Sequence, residues 1–333
     1  MINRREFMIG ASAAMLSMSD LHDRERPAAG SPGRNIRQKS ARVTLVCTSD
    51  RAHGVKTAID LLGVNPVKGK QVLIKPNFNT ADPYPGSTHN DTLVNLIGHL
   101  KRMGASSLMI GERSGPPATT EVIKGKGVVG ICREHNVGLI NFEDLPPGQW
   151  VRIRPEQIHW NNGFDVAKPV LDAECVVSTC CLKTHGYGGV FTMSLKLSVG
   201  VTHKRNMTEL HSSFRSMRKM IAEINQAYSP SLILLDAVEA FVDGGPMTGK
   251  RKRADLILAG TDRIAIDAVG LAVLKDLGSN EAIMGRKIFE QEQISRAVEL
   301  GLGVSRPEDI EIVAGDNKGR AYAEKLKGML LRG

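Results

Sequence analysis

Three lysines close to the ends of apolar runs, Lys75, Lys183 and Lys196, are suited to gather a negative charge. An ammonium binds carboxylate or phosphate, and one desolvated beside other cations loses its proton more readily, so that it can serve as base or nucleophile. His185 follows Lys183 by two. On an extended segment both side chains then face the same way, and imidazole suits proton transfer near neutral pH. Lys75, Lys183 and His185 are therefore the candidate catalytic residues. Asn77, Glu112, Ser194, Lys196, Asp243, Gly244 and Gly245 are the candidate substrate-binding residues, with Glu112 or Asp243 as a partner acid or metal ligand. The two glycines permit positive φ and a close approach of backbone N–H groups to an anion.

Other polar residues have simpler readings. Arg113 and Asp236 are of types common in turns and on surfaces. Asp262 stands at the entrance of a helix-like stretch and suits a cap. Asp267 is surrounded by Ile264, Ala265, Ile266, Ala268, Val269 and Leu271, where an unpaired carboxylate is costly, so it must meet a lysine or a backbone donor. His203 and His211 lie eight apart with Glu209 near, which is not a recognised metal-ligand spacing, and no metal site is assigned. The run 250–253 is basic and reads as solvated, or as guidance for an acidic ligand.

The elements that position these groups are legible as apolar, β-branched runs of strand length at 43–47, 72–74, 107–110, 137–140, 175–178, 232–235, 256–259 and 310–313. Helix-like stretches separate them, at 55–62, 92–103, 213–227, 262–276 and 287–300. The second of these is entered through Asn90-Asp91 and closed by Gly104. Continuous rather than alternating apolar strands predict burial on both faces. The expectation is an α/β fold with mostly parallel sheets and helices on both faces, as two Rossmann-like units around a central crevice. Residues 146–170 break the rhythm with Pro146-Pro147-Gly148 and Asn161-Asn162-Gly163, which predicts a hairpin or small insertion over a cleft. In open parallel sheets ligands bind where strands end, and the candidate residues follow strand ends.

At these positions the chain resembles the domain-of-unknown-function 362 family. The matching stretches are Ile74-Lys75-Pro76-Asn77, Gly111-Glu112, Leu182-Lys183-Thr184-His185, Met193-Ser194-Leu195-Lys196, Asp243-Gly244-Gly245-Pro246 and Asp262 through Asp267. The resemblance spans about residues 43–315 and implies the fold and the place of the site; the reaction has to come from the residues. Similar proteins often carry Asn after the second lysine, where this chain has Leu197, which removes an amide. Some relatives append a ferredoxin-type iron–sulfur module, and this chain has no cysteine cluster for one.

Near its start the sequence reads Asn3-Arg4-Arg5-Glu6-Phe7-Met8, followed by a short apolar run from Ile9 to Leu16. Arg4, Arg5 and Phe7 resemble a twin-arginine export signal. The run is broken by Ser17, Ser19 and Asp20 far short of a spanning helix, so no permanent membrane span is expected. The domain reading is a signal peptide over 1–30, a basic linker over 31–42 and an α/β domain over 43–333, in lobes of about 43–170 and 171–315. The expected location is the periplasm or the extracellular space, with the twin-arginine translocation machinery as partner.

The formal net charge is +9, but four of the basic residues fall in the linker and only 4% of residues are aromatic, so no stacking surface for nucleic acid is present and none is expected as a partner. The five cysteines, Cys47, Cys132, Cys175, Cys180 and Cys181, show no Cys-x-x-Cys spacing. A disulfide through Cys175, Cys180 or Cys181 suits an oxidising compartment, while Cys47 and Cys175 lie in apolar runs and read as packing residues. The sequence points to an exported enzyme acting on a small anion by proton transfer or metal-assisted chemistry. The alternative is a non-catalytic ligand- or cofactor-binding protein exported in folded form. The cofactor, if any, stays open.

Overall fold

Strands whose consecutive residues are all apolar need cover on both faces. In the computed structural model, which describes residues 40–333, they have it. The elements begin β1 (Ala41–Cys47), α1 (Arg51–Leu62), β2 (Gln71–Lys75), α2 (Asn90–Arg102), β3 (Ser107–Glu112), α3 (Thr119–Gly125), α4 (Val128–Glu134) and β4 (Gly138–Asn141). A hairpin of β5 (Trp150–Ile153) and β6 (Phe164–Ala167) follows, then α5 (Lys168–Asp172), β7 (Cys175–His185), β8 (Val190–Thr192), α6 (Ser194–Leu197), α7 (Asn206–Ser212) and α8 (Met217–Ile224). The remaining elements are β9 (Leu232–Gly244), β10 (Gly249–Gly260), α9 (Arg263–Asp276), α10 (Glu281–Met284), α11 (Glu292–Glu299), β11 (Ile310–Ala314) and α12 (Asn317–Arg332).

One nine-stranded sheet runs in the order β11-β1-β10-β9-β7-β2-β3-β4, with β8 beside β7. The pairings of β1 with β11, β7 with β9, and β2 with β7 and β3, together with β3 with β4, are parallel. Those of β10 with β1 and β9, and of β8 with β7, are antiparallel. The fold is therefore mixed α/β with a large, mostly parallel sheet. The two units read from the sequence share that sheet, because β7 from the second half pairs with both β2 and β9.

Neighbouring residues of a strand enter different cores. Val72 and Ile74 of β2 pack with Val55, Ile59, Leu93 and Leu96 of α1 and α2, while Leu73 packs on the other face with Phe142, Val176 and Ile221. Ile233 and Leu235 of β9 join the apolar residues of α9, such as Ile266 and Val269, on that second face. Period-2 geometry thus explains the unbroken apolar runs: both sides of the pleat are dry.

Three local expectations are revised. Helix α2 is capped by His89, whose Nδ1 accepts from the Asp91 N–H at 3.1 Å, because the Asn90 amide donates instead to the Lys126 carbonyl at 3.0 Å. Ala41 and Arg42, read as linker, open β1; the expected signal and residues 31–39 lie outside the described residues. All five cysteines are free. Cys180 and Cys181 are successive residues of a strand and pack in cores on opposite faces, so they cannot bond to each other. Burial pushes the Cys181 thiol up to about 11 and that of Cys180 well above its ordinary value.

Candidate functional site

The chain leaves β2 toward β3 on one side, and leaves β7 toward β9 on the other, although β2 and β7 are neighbours. Such a reversal opens a crevice at the carboxyl ends of the two strands. Lys75 is the last residue of β2, Glu112 the last of β3 and His185 the last of β7. They line a cavity of about 50 Å³ with Asn77, Lys183 and Lys196, and with Arg113, Thr192, Gly200 and Pro246. That is well below the several hundred Å³ of a large organic ligand's pocket.

Lys75 and Glu112 form a buried ion pair, with Nζ 2.5 Å from Oε1. Lys75 also donates to the Pro76 carbonyl at 2.7 Å. The Glu112 carboxylate further accepts from the backbone N–H groups of Arg113 at 2.8 Å and Phe78 at 2.9 Å. Burial pulls the lysine pKa down and pushes the carboxyl up, and each charge opposes the shift of the other. These contacts make Glu112 the fixed counter-charge of Lys75, so it is not a free acid.

The other two lysines have no such partner. Lys183 donates to the backbone carbonyls of Gly86 and, at 3.2 Å, Pro246, and burial lowers it to about 8. The charges acting on Lys196 are those of Lys183 and Arg113, both positive; with burial as the larger cause they lower it to about 7. His185 is pulled down to about 2 by burial first and by Lys196 and Lys183 next. Its imidazole is therefore neutral, and it does not take up a proton near neutral pH as its residue type alone predicts. Lys196 and Lys183 titrate closest to that range instead.

Three residues that line this space carry polar atoms without partners: Oδ1 of Asn77, Nδ1 of His185 and Oγ1 of Thr192 are buried and make no hydrogen bond among the described residues. Such atoms are costly unless a ligand or water completes them. Arg113, read as a turn residue, is buried as well. It donates to the carbonyls of Thr202 at 2.8 Å, Ser114 at 2.9 Å and Val199, which fixes the segment carrying Gly200. It remains cationic, lowered by burial to about 10.

Four expected binding residues lie outside the cavity lining. Asp243 is exposed and accepts from the Gly244 N–H at 2.9 Å, and the Gly245 N–H donates to the Thr248 carbonyl at 2.7 Å. The positive φ angles of Gly244 and Gly245, 78° and 72°, thus serve the β9–β10 turn, and their N–H groups are not available to an anion. The loop instead contributes Pro246. Ser194 is buried at the start of α6; its N–H and that of Leu195 donate to the Asp267 carboxylate at 2.7 and 2.9 Å. Asp267 has therefore met backbone donors rather than a lysine, and burial raises it to about 7. Asp262 caps α9 by accepting from the Ala265 N–H at 2.8 Å.

Sequence reasoning missed the glycines that let side chains approach. A β-carbon on Gly189 would stand 2.8 Å from Cε of Lys196 and 2.9 Å from Nδ1 of His185. Nothing in the local sequence signals that contact. The β5–β6 hairpin does not cover the cavity; it pairs with the segment after Gly200, where Asp165 accepts from the His203 N–H at 3.0 Å. His203 Nδ1 accepts from the Arg205 N–H at 3.0 Å, and the ring packs on Trp150. Among the described residues no group of three or more His, Cys, Asp or Glu side chains is arranged to hold a metal ion.

Residues 72–272, more than half of the 333-residue chain, match the family model described as Domain of unknown function (DUF362). The chain belongs to this family. The DUF362 stretch contains every residue that lines the cavity. No curated protein matches the chain at a significant level. Among solved structures, the lactate racemase apoprotein from Thermoanaerobacterium thermosaccharolyticum is similar over 88% of this chain and 87% of that one, with 12% identity and a TM-score of 0.45. At that distance the likeness says nothing of the reaction. Among the described residues no helix is long and apolar enough to cross a membrane.

Proposed function

We propose that the DUF362 crevice binds a small anion and transfers a proton to or from it. The observation that carries this reading is the charge balance: Lys75, Lys183, Lys196 and Arg113 line the cavity against the carboxylate of Glu112. Once the Lys75–Glu112 pair is set aside, no carboxylate lines the cavity: Asp82 and Glu143 act on Lys183 and Arg113 only from beyond its lining, and only positive charges act on Lys196. A small anion would complete them and offer acceptors to Lys183 and Lys196 in a poorly solvated space, where such contacts are strong.

In this reading Lys196, lowered to about 7 by burial and by the charges of Lys183 and Arg113, exchanges the proton, and Lys183 holds the negative charge. Neutral His185 and Asn77 orient the ligand through their unpartnered atoms. The cation excess does not fit a metal ion, so no metal-assisted step is drawn. Lys183→Met and His185→Gln, which keep most of the buried volume, are expected to abolish turnover of an anionic substrate with a much smaller change in thermal midpoint than in turnover. Equal loss of folding in both variants would make their roles structural.

The second reading, a non-catalytic carrier of a ligand or cofactor, draws on the same unpaired cations, because charge alone binds without reacting. Native mass spectrometry of the purified full chain separates the two: a ligand retained at fixed stoichiometry favours a carrier. Export by the twin-arginine route is a further proposal, supported by Arg4, Arg5 and Phe7.

A further inference from the structure

Of the three amines at the crevice, two are committed. Lys75 is held by Glu112 and the Pro76 carbonyl, and Lys183 by the carbonyls of Gly86 and Pro246. Lys196 has neither kind of partner; it meets only the positive charges of Lys183 and Arg113, while its Cε and the unpartnered Nδ1 of His185 flank a single point beside Gly189. An amine with neighbouring cations and no counter-ion keeps a free lone pair, which makes it a nucleophile toward carbonyl carbon. Its depressed pKa of about 7 agrees with that placement.

We infer that Lys196 is the reactive amine of the crevice and condenses with the carbonyl of a small 2-oxo acid whose carboxylate lies against Lys183. This rests on the small-anion reading above and names its substrate class. Lys183 and Lys196 line the same small crevice, and a carboxylate on the carbon next to the carbonyl lets one compact ligand meet both amines at once. In the step, the unprotonated Nζ of Lys196 bonds to the carbonyl carbon, the π pair moves to oxygen, and the oxygen takes the proton that Nζ gives up and a second one from solvent. Loss of that oxygen as water, with the nitrogen lone pair forming the second C–N bond, leaves an iminium. Its positive nitrogen acidifies the neighbouring C–H bonds, so on a 2-oxo acid Lys196 promotes proton transfer as the iminium and not as the base.

The test is reductive trapping on the full chain. The protein is incubated with pyruvate or with acetone, which lacks the carboxylate, in the presence of cyanoborohydride, and the adduct is located by peptide mass mapping. The expected result is one pyruvate-derived secondary amine at Lys196, formed on the order of tenfold faster than at exposed lysines and absent from a folded Lys196→Arg variant. Acetone should label Lys196 far more slowly. Labelling spread evenly over surface lysines, or no label at Lys196, overturns the inference. If pyruvate still raises the thermal midpoint in that case, the small-anion reading stands without it. Equal labelling by acetone and pyruvate also overturns the 2-oxo acid assignment, and the thermal midpoint with pyruvate again decides the small-anion reading separately.

Discussion

A β-carbon on Gly200 would stand 2.7 Å from the ammonium nitrogen of Lys75 and 3.0 Å from Oε1 of Glu112. The turn after α6 is thus pressed directly onto the buried ion pair at the ends of β2 and β3.

Gly200→Ala is expected to destabilise the protein. Replacing glycine by alanine gains about 0.4–1 kcal/mol through the unfolded chain, but overpacking costs about 1–3 kcal/mol, so the loss prevails. Urea unfolding measures it, and an unchanged midpoint would show that the pair can yield.

Breaking the pair from one side should cost more. Glu112→Gln leaves Lys75 buried without its counter-charge, which costs about 3–5 kcal/mol. The double substitution Lys75→Met with Glu112→Leu, which removes both charges, should recover most of that loss in the same unfolding experiment. A double variant as weak as the single one contradicts this account.

Lys183 and Lys196 make stability rise with pH. Their folded values of about 8 and about 7 lie below the ordinary lysine value of about 10.4. Between these values the unfolded chain binds more protons than the folded one, so unfolding becomes harder as pH increases, and the full burial penalty is felt below about pH 7. Asp267, raised to about 7, works in the opposite direction only below that point. Unfolding midpoints from about pH 7.5 to about pH 9 should therefore climb, and Lys196→Met should flatten the slope. A flat wild-type profile would count against a buried Lys183 and a half-buried Lys196 that lack counter-charges at the cavity.

Asp267→Ala should orphan the N–H groups of Ser194 and Leu195 and cost about 1–3 kcal/mol for each unsatisfied donor. Asp267→Asn keeps one acceptor and should lose less. Because Lys196 follows in the same short helix, both variants should also weaken anion binding, as read by thermal shift with inorganic phosphate.

Replacing Arg4 and Arg5 together by lysine should block export of the full chain, followed by cell fractionation. Unchanged export would remove the twin-arginine proposal.

Much of the frame was legible because unbroken apolar runs mark strands covered on both faces, and Lys75 and Glu112 were legible because they sit where those runs end, whereas Lys183 lies inside a strand that continues to His185. The Gly244-Gly245 expectation failed on contacts that the sequence does not display: the Asp243 carboxylate and the Thr248 carbonyl consume the N–H groups. Gly189 and Gly200 carried no signal, since their importance lies in side chains that arrive from other elements. The neutral state of His185 was equally hidden, because it depends on burial and on Lys196, eleven residues further along the chain.

The most direct test of the crevice as an anion site is calorimetric titration of the full chain with acetate and inorganic phosphate near neutral pH, in two buffers of different ionisation enthalpy. Saturable binding with net proton uptake is predicted, because an anion favours the protonated form of Lys196, and Lys196→Met should weaken binding at least about tenfold, or about 1.4 kcal/mol. Binding of equal strength in that variant without proton exchange, or no binding at all, would contradict it.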